Sequence, residues 1–90
     1  MAKEVVVKRT PKDKDIHAQI NKQVLKFGPD GTAKATVEPG PHALIYFLVD
    51  EPGTEFTVEI TAPPEAVWSR SHRIPSDGIT IGTKKFQVKP

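Results

Sequence analysis

The part of the chain that most constrains its fold is residues 39–61. Residues 43–49 form a continuous apolar run, which is followed by a turn-forming stretch at residues 50–54. Residues 55–61 then alternate, with apolar side chains at Phe56, Val58 and Ile60. An apolar run bounded by Pro and Gly predicts a strand buried on both faces, and the alternation predicts a partner strand with one face in water. We therefore expect a central hairpin in a β-sheet protein.

Composition sets the size and class of the protein. Ninety residues, 37% hydrophobic and 27% charged, are typical of one small globular domain, which we expect to span residues 1–90. The longest apolar run is far below the ~18 residues of a transmembrane helix, so we expect no membrane span. The N-terminus lacks the apolar region of a signal peptide, which predicts a cytoplasmic protein or an exported one whose leader has been removed. The absence of cysteine excludes disulfides and thiolate chemistry.

Charge is distributed unevenly along the sequence. Residues 1–26 carry +4, residues 27–66 carry −6 and residues 67–90 carry +4, for a net charge of +2. Basic ends can attract a polyanion, but they can equally pair with an acidic central sheet.

The segment 12–27 has two interpretations. Its apolar residues fit one stripe of a helix, which would begin after the Thr10-Pro11 pair and end at Gly28. However, the Pro29-Asp30-Gly31 sequence is typical of a tight turn, and it predicts a hairpin between residues 24–27 and residues 33–37. We favour strands, and the alternative is an α+β fold in which a helix near residues 12–27 packs on an antiparallel sheet.

The remaining segments also indicate strands. Residues 4–9 predict a first strand, and Pro63 with Pro64 predicts a crossing from one sheet to another. Residues 67–73 predict an edge strand, and residues 79–88 predict a terminal hairpin that turns at Gly82. About seven or eight short strands with regular turns predict an all-β fold, an antiparallel immunoglobulin-like β-sandwich.

The hairpin motif supports the same fold. The sequence of residues 37–44, Val-Glu-Pro-Gly-Pro-His-Ala-Leu, leads through residues 50–54 to the alternating strand at 56–60. This pattern resembles the hairpin of small bacterial immunoglobulin-like and carboxypeptidase-regulatory-like sandwiches. The resemblance implies a fold and carries no activity or site residue with it.

Catalytic and metal-binding patterns are absent from the sequence. Ser71 and His72 are neighbours, and adjacent residues of a strand point to opposite faces, so they cannot act as nucleophile and base. The three histidines lack the spacing of a metal site. We therefore predict no enzymatic activity, no metal and no cofactor.

Two groups of residues are candidates for binding. On a strand, Trp68, Arg70 and His72 would share one face, and together with Arg73 they could hold a glycan or a polyanion. The second group shares one face of the apolar run and would form an interface with a protein partner or a second copy if the fold left it uncovered. This group comprises Leu44, Tyr46 and Leu48.

The resulting expectation for function is a non-enzymatic β-sandwich that serves in protein interaction or structural support. The alternative is a carbohydrate- or polyanion-binding module that uses residues 68–73.

Overall fold

The computed structural model describes residues 2–11 and 16–90. These residues form two antiparallel four-stranded sheets that pack face to face, which confirms the predicted all-β sandwich. The helical alternative is wrong for residues 16–27, which contain two short strands, while residues 12–15 lie outside the described residues. The specifically immunoglobulin-like character stays a prediction.

The described residues contain eight strands and one 3-10 helix. In chain order the strands are β1 Lys3–Thr10, β2 His17–Ile20, β3 Gln23–Val24, β4 Thr32–Val37, β5 Gly40–Val49, β6 Glu55–Ala62, β7 Trp68–Arg73 and β8 Ile79–Val88, and the 3-10 helix is Pro64–Ala66.

Each sheet has its own strand order. Sheet I has the order β4-β1-β6-β7, and sheet II has the order β3-β2-β5-β8. The longest pairing joins β5 to β8 over ten residues, from Gly40 opposite Val88 to Val49 opposite Ile79. Strands β7 and β8 are therefore edge strands.

The core forms where the inner faces of the two sheets meet. Alternation places Phe56, Val58 and Ile60 of β6 on one side, and all three are buried. Sheet II contributes Leu44 and Leu48 of β5 from the other side. The alternating pattern of β6 thus correctly identified the face that packs into the core.

The predicted central hairpin is wrong, because β5 and β6 belong to different sheets. The turn between them carries the chain across the sandwich. It is held by the connection between β7 and β8, where the N–H of Gly53 donates to the carbonyl of Ile74 at 2.8 Å and the N–H of Asp50 donates to that of Gly78 at 3.2 Å. These bonds replace the ladder that a hairpin would make.

Two further connections differ from prediction for the same reason. Strand β3, which ends at Val24, and β4 also lie in different sheets, and residues 25–27 form no strand, so the Pro-Asp-Gly turn lies in a crossing of the sandwich and closes no hairpin. The Pro63-Pro64 segment was predicted to cross between the sheets, and it does not. It joins β6 to β7 within sheet I through the short 3-10 helix, in which Pro64 occupies the first turn.

Glu65 of this 3-10 helix connects the ends of two strands. Its carboxylate accepts a hydrogen bond from Lys3 Nζ at 2.9 Å and another from the backbone N–H of Lys89 at 3.1 Å. These bonds, with the Lys3 bond the largest cause, lower the pKa of Glu65 to about 2. Glu65 therefore links the start of β1 in sheet I to the end of β8 in sheet II.

Replacing Glu65 by glutamine should make the free energy of unfolding less dependent on pH below pH 4.5. In the unfolded chain this carboxyl titrates near its ordinary pKa of 4.5, so below that pH the unfolded state binds a proton that the folded state refuses. The free energy of unfolding of the wild type should therefore fall as the pH is lowered from 4.5 towards 2. Urea unfolding between pH 2 and 6 measures this, with Glu51→Gln in an exposed turn as the control. Parallel curves for wild type and Glu65→Gln would contradict the assignment.

Candidate functional site

The structure divides the predicted ligand-binding segment between two faces of β7. Trp68 and His72 lie opposite Ile60 and Phe56 of β6, so they share the face of the strand that is turned towards sheet II, together with Arg70. Arg73 lies on the other face, where its guanidinium donates to Glu55 at 2.6 Å. That hydrogen bond raises the pKa of Arg73. The four residues therefore do not form one surface.

Trp68 is engaged in packing. Its side chain is half-buried against the core, and its ring centroid lies 6.3 Å from that of Tyr46 at an interplanar angle of 49°. Tilted aromatic pairs at this distance are favourable contacts. Trp68 is therefore a packing residue at the margin of the core.

The predicted interface residues Leu44, Tyr46 and Leu48 are fully buried between the sheets. This face of β5 is covered by sheet I of the same chain, because strand alternation directs it towards Val58 and the other inner residues of that sheet. A partner cannot contact these side chains in the folded state. The prediction that β5 is buried on both faces is also wrong, since Phe47 and Val49 on its opposite face are exposed.

Tyr46 joins the two sheets through a hydrogen bond. Its hydroxyl and Nε2 of His72 form a hydrogen bond at 2.5 Å, and the two rings meet edge to face with centroids 5.4 Å apart. Burial raises the pKa of Tyr46 and lowers that of His72, and the positive charge of Arg70 lowers the pKa of His72 further. Both groups are therefore held in their neutral forms, in which this bond is satisfied.

Gly82 makes this bond possible. It lies opposite Tyr46 in the middle of β8, and a Cβ at this position would overlap Cζ and Oη of the tyrosine. The prediction of a terminal hairpin that turns at Gly82 is therefore wrong. The glycine leaves space for the Tyr46 ring, which crosses the strand at this point, and β8 runs unbroken through it.

The outer face of sheet II carries four exposed apolar side chains that lie side by side. Phe47 (38% exposed) lies directly opposite Ile81 (59%), and Val49 (65%) lies opposite Ile79 (49%). His17 of β2 packs against Phe47 from the other side, with ring centroids 5.7 Å apart. We refer to Phe47, Val49, Ile79 and Ile81 as the apolar patch. Contiguous exposed apolar side chains of this kind mark interaction sites.

The outer face of sheet I is polar by contrast. Lys8 of β1 lies opposite Glu59 of β6, and Glu55 pairs with Arg73. Next to this ion pair, the hydroxyls of Thr57 and Ser71 form a hydrogen bond at 3.0 Å. The two outer surfaces of one small sandwich therefore differ sharply in chemistry.

The apolar patch was not predicted from the sequence, although the sequence carries one signal for it. Ile79, Ile81, Thr83 and Lys85 alternate with the other residues of 79–88 as one long strand requires. The turn assigned to Gly82 broke this pattern into two short pieces. Even an unbroken strand would not have revealed that Ile81 lies beside Phe47, because that pairing is non-local.

The other polar groups of the described residues serve structure. Ser71 and His72 point to opposite faces of β7, as expected from strand geometry. Both ring nitrogens of His42 are used within the chain, since Nε2 donates to the Glu38 carbonyl at 2.6 Å and Nδ1 accepts from Asn21 at 2.8 Å. Across residues 2–11 and 16–90, no three side chains of the metal-binding types come together.

The same described ranges contain no helix with the length and hydrophobicity needed to cross a bilayer. No family model, no curated protein and no solved structure matches this chain. The geometry described above is therefore the basis for any proposal about function.

Proposed function

We propose that the protein is a non-catalytic interaction module that binds a protein partner through the apolar patch. The observation that supports this proposal is the contrast between the two outer faces. Sheet I presents paired charges and hydroxyls to water, whereas sheet II presents Phe47, Val49, Ile79 and Ile81. A sheet face with no function in binding gains nothing from exposing four large apolar side chains side by side.

Covering the apolar patch can contribute enough free energy to support binding of a partner. Full burial of a Val, Ile or Phe side chain contributes about 1.5–3 kcal/mol, so covering the exposed part of each patch residue contributes on the order of 1 kcal/mol. A stable interface covers about 800 Å² per partner, which requires a polar rim around the patch. Gln19, Thr83 and Lys85 share this outer face and would supply such a rim.

The arrangement of β7 supports a glycan- or polyanion-binding role less well. Trp68 uses its ring to pack against Tyr46, and Arg73 is paired with Glu55 on the opposite face. Arg70 alone of the predicted cations remains exposed on the inner-facing side of the strand.

Affinity capture from the source organism tests the proposal. The immobilised wild type is compared with Ile81→Lys, which charges the centre of the patch, and with Thr36→Lys, which places the same charge on the exposed outer face of sheet I. We expect at least one protein to be retained by the wild type and by Thr36→Lys and to be reduced at least tenfold with Ile81→Lys.

Circular dichroism and thermal unfolding of the three proteins establish that each is folded. Sedimentation of the wild type over a range of concentrations determines whether the retained partner is a second copy of the chain. Identical sets of retained proteins on all three baits would contradict the role of the patch.

A further inference from the structure

The two edge strands β7 and β8 lie on the same side of the sandwich. The hydrogen bond from Tyr46 to His72 passes over Gly82 of β8 and reaches β7 directly. Within residues 2–11 and 16–90, β7 pairs only with β6, and β8 pairs only with β5. One backbone edge of β8 therefore has no partner strand among these residues, and the 3-10 helix contacts β8, with Glu65 bonded just beyond its C-terminal end. A strand edge without a partner strand can accept a further strand.

Cations line the inner side of this edge. Arg70 is exposed on the inner-facing side of β7, and its charge acts on both Tyr46 and His72. Lys84 is half-buried on the inner face of β8, opposite Leu44. Neither cation forms an ion pair with another residue of the described ranges. The two strands themselves contain no acidic residue.

The outer side of the same edge is apolar, because Ile79 and Ile81 belong to the patch. A strand added to β8 would direct alternate side chains to the two faces of sheet II. One set would approach Arg70 and Lys84, and the other would lie beside Ile79 and Ile81. We propose that the open edge of β8 binds an extended segment of a partner protein in which acidic residues alternate with apolar ones.

Charge argues against a second copy of the chain as the occupant. Strand β8 carries Lys84 and Lys85 and no acid, so pairing two β8 edges would bring like charges together. Cations on an edge strand commonly prevent such self-pairing. They do not oppose an acidic strand. The acidic, alternating strand of this chain, β6, already lies inside sheet I between β1 and β7.

Synthetic peptides test this inference, which rests on the proposed function of the patch. The probe is a capped nine-residue peptide of alternating Glu and Val. The controls are alternating Lys and Val, and a peptide of the same composition with all Glu before all Val. Since the chain has one tryptophan, which lies in β7, Trp68 fluorescence reports binding near this edge of the sandwich, and calorimetry gives the affinity. We expect the alternating acidic peptide to bind at least tenfold more tightly than either control.

Variants and backbone methylation identify the binding mode. Arg70→Gln and Lys84→Gln should each weaken binding about two- to fivefold, as for partly exposed ion pairs. The matched control Lys34→Gln, on the distant edge strand β4, should bind as the wild type does. Alternate residues of the peptide can be N-methylated in two ways, at the odd-numbered or at the even-numbered positions. One of these two peptides should lose binding and the other should keep it, because only one edge of the peptide would pair with β8.

Three results would overturn the inference. They are equal binding of the alternating and block peptides, equal binding of both methylated forms, and no binding of the acidic peptide at millimolar concentration. If the peptide fails while Ile81→Lys still loses a captured partner, the patch binds that partner in another way. If the capture experiment also shows no difference, the proposed function fails as well.

Discussion

Replacing Gly82 by alanine is expected to destabilise the fold by about 1–3 kcal/mol, the usual cost of overpacking a core. The added Cβ would overlap Cζ and Oη of Tyr46. The ring cannot easily move away, because its hydroxyl is bonded to His72 and its side packs against Trp68. Urea unfolding at neutral pH measures the loss.

A double-mutant cycle tests whether this clash is the cause. Tyr46→Leu removes the ring atoms that the new Cβ would meet and should itself cost about 2–3 kcal/mol. Once the ring is gone, Gly82→Ala should cost almost nothing further, so the two changes should be strongly non-additive.

Gly53→Ala is the matched control for this cycle. Gly53 has a positive φ of 90° and no atom near its would-be Cβ, so alanine there costs backbone strain of about 1–2 kcal/mol. Tyr46→Leu should not relieve that strain. Additive losses for Gly82→Ala and Tyr46→Leu would exclude the clash as the explanation.

Tyr46→Phe is expected to cost about 1–3 kcal/mol, because it removes the hydroxyl that bonds to His72 and leaves the partly buried Nε2 of His72 without its partner. The variant keeps the ring, so packing over Gly82 and against Trp68 is retained. Unfolding in urea at pH 7.5, where His72 is neutral in both states, measures the loss of the hydrogen bond.

The same site should make stability depend on pH. The folded protein holds the pKa of His72 below its ordinary value of 6.5, through burial and the charge of Arg70. As the pH falls below 6.5, the unfolded chain binds a proton at this position that the folded chain does not, so the free energy of unfolding decreases. His72→Gln should remove this part of the pH dependence below pH 6.5. If His72→Gln and the wild type lose stability in parallel, His72 is not the titrating group.

The local pattern of apolar and polar residues was sufficient to predict the fold class and much of the core. Alternation in β6 identified Phe56, Val58 and Ile60 as the buried face, and the turn residues separated the strands at nearly the observed positions. The same rule placed Trp68, Arg70 and His72 on one side of β7. All these properties follow from the two-residue period of a strand, which depends only on neighbours in the chain.

The tertiary structure alone decided which strands pair and which face of β5 meets water. The turn at residues 50–54 is compatible with a hairpin and with a crossing between sheets, and its hydrogen bonds to the distant β7–β8 connection select the crossing. Glycine is a residue type typical of turns, and only the ring of Tyr46, which occupies the space above Gly82, explains why this glycine lies within a strand. The candidate site depends on such contacts. The apolar patch exists because Phe47 and Ile81, which are far apart in sequence, lie side by side in sheet II, and strand pairing of this kind is a property of the whole fold.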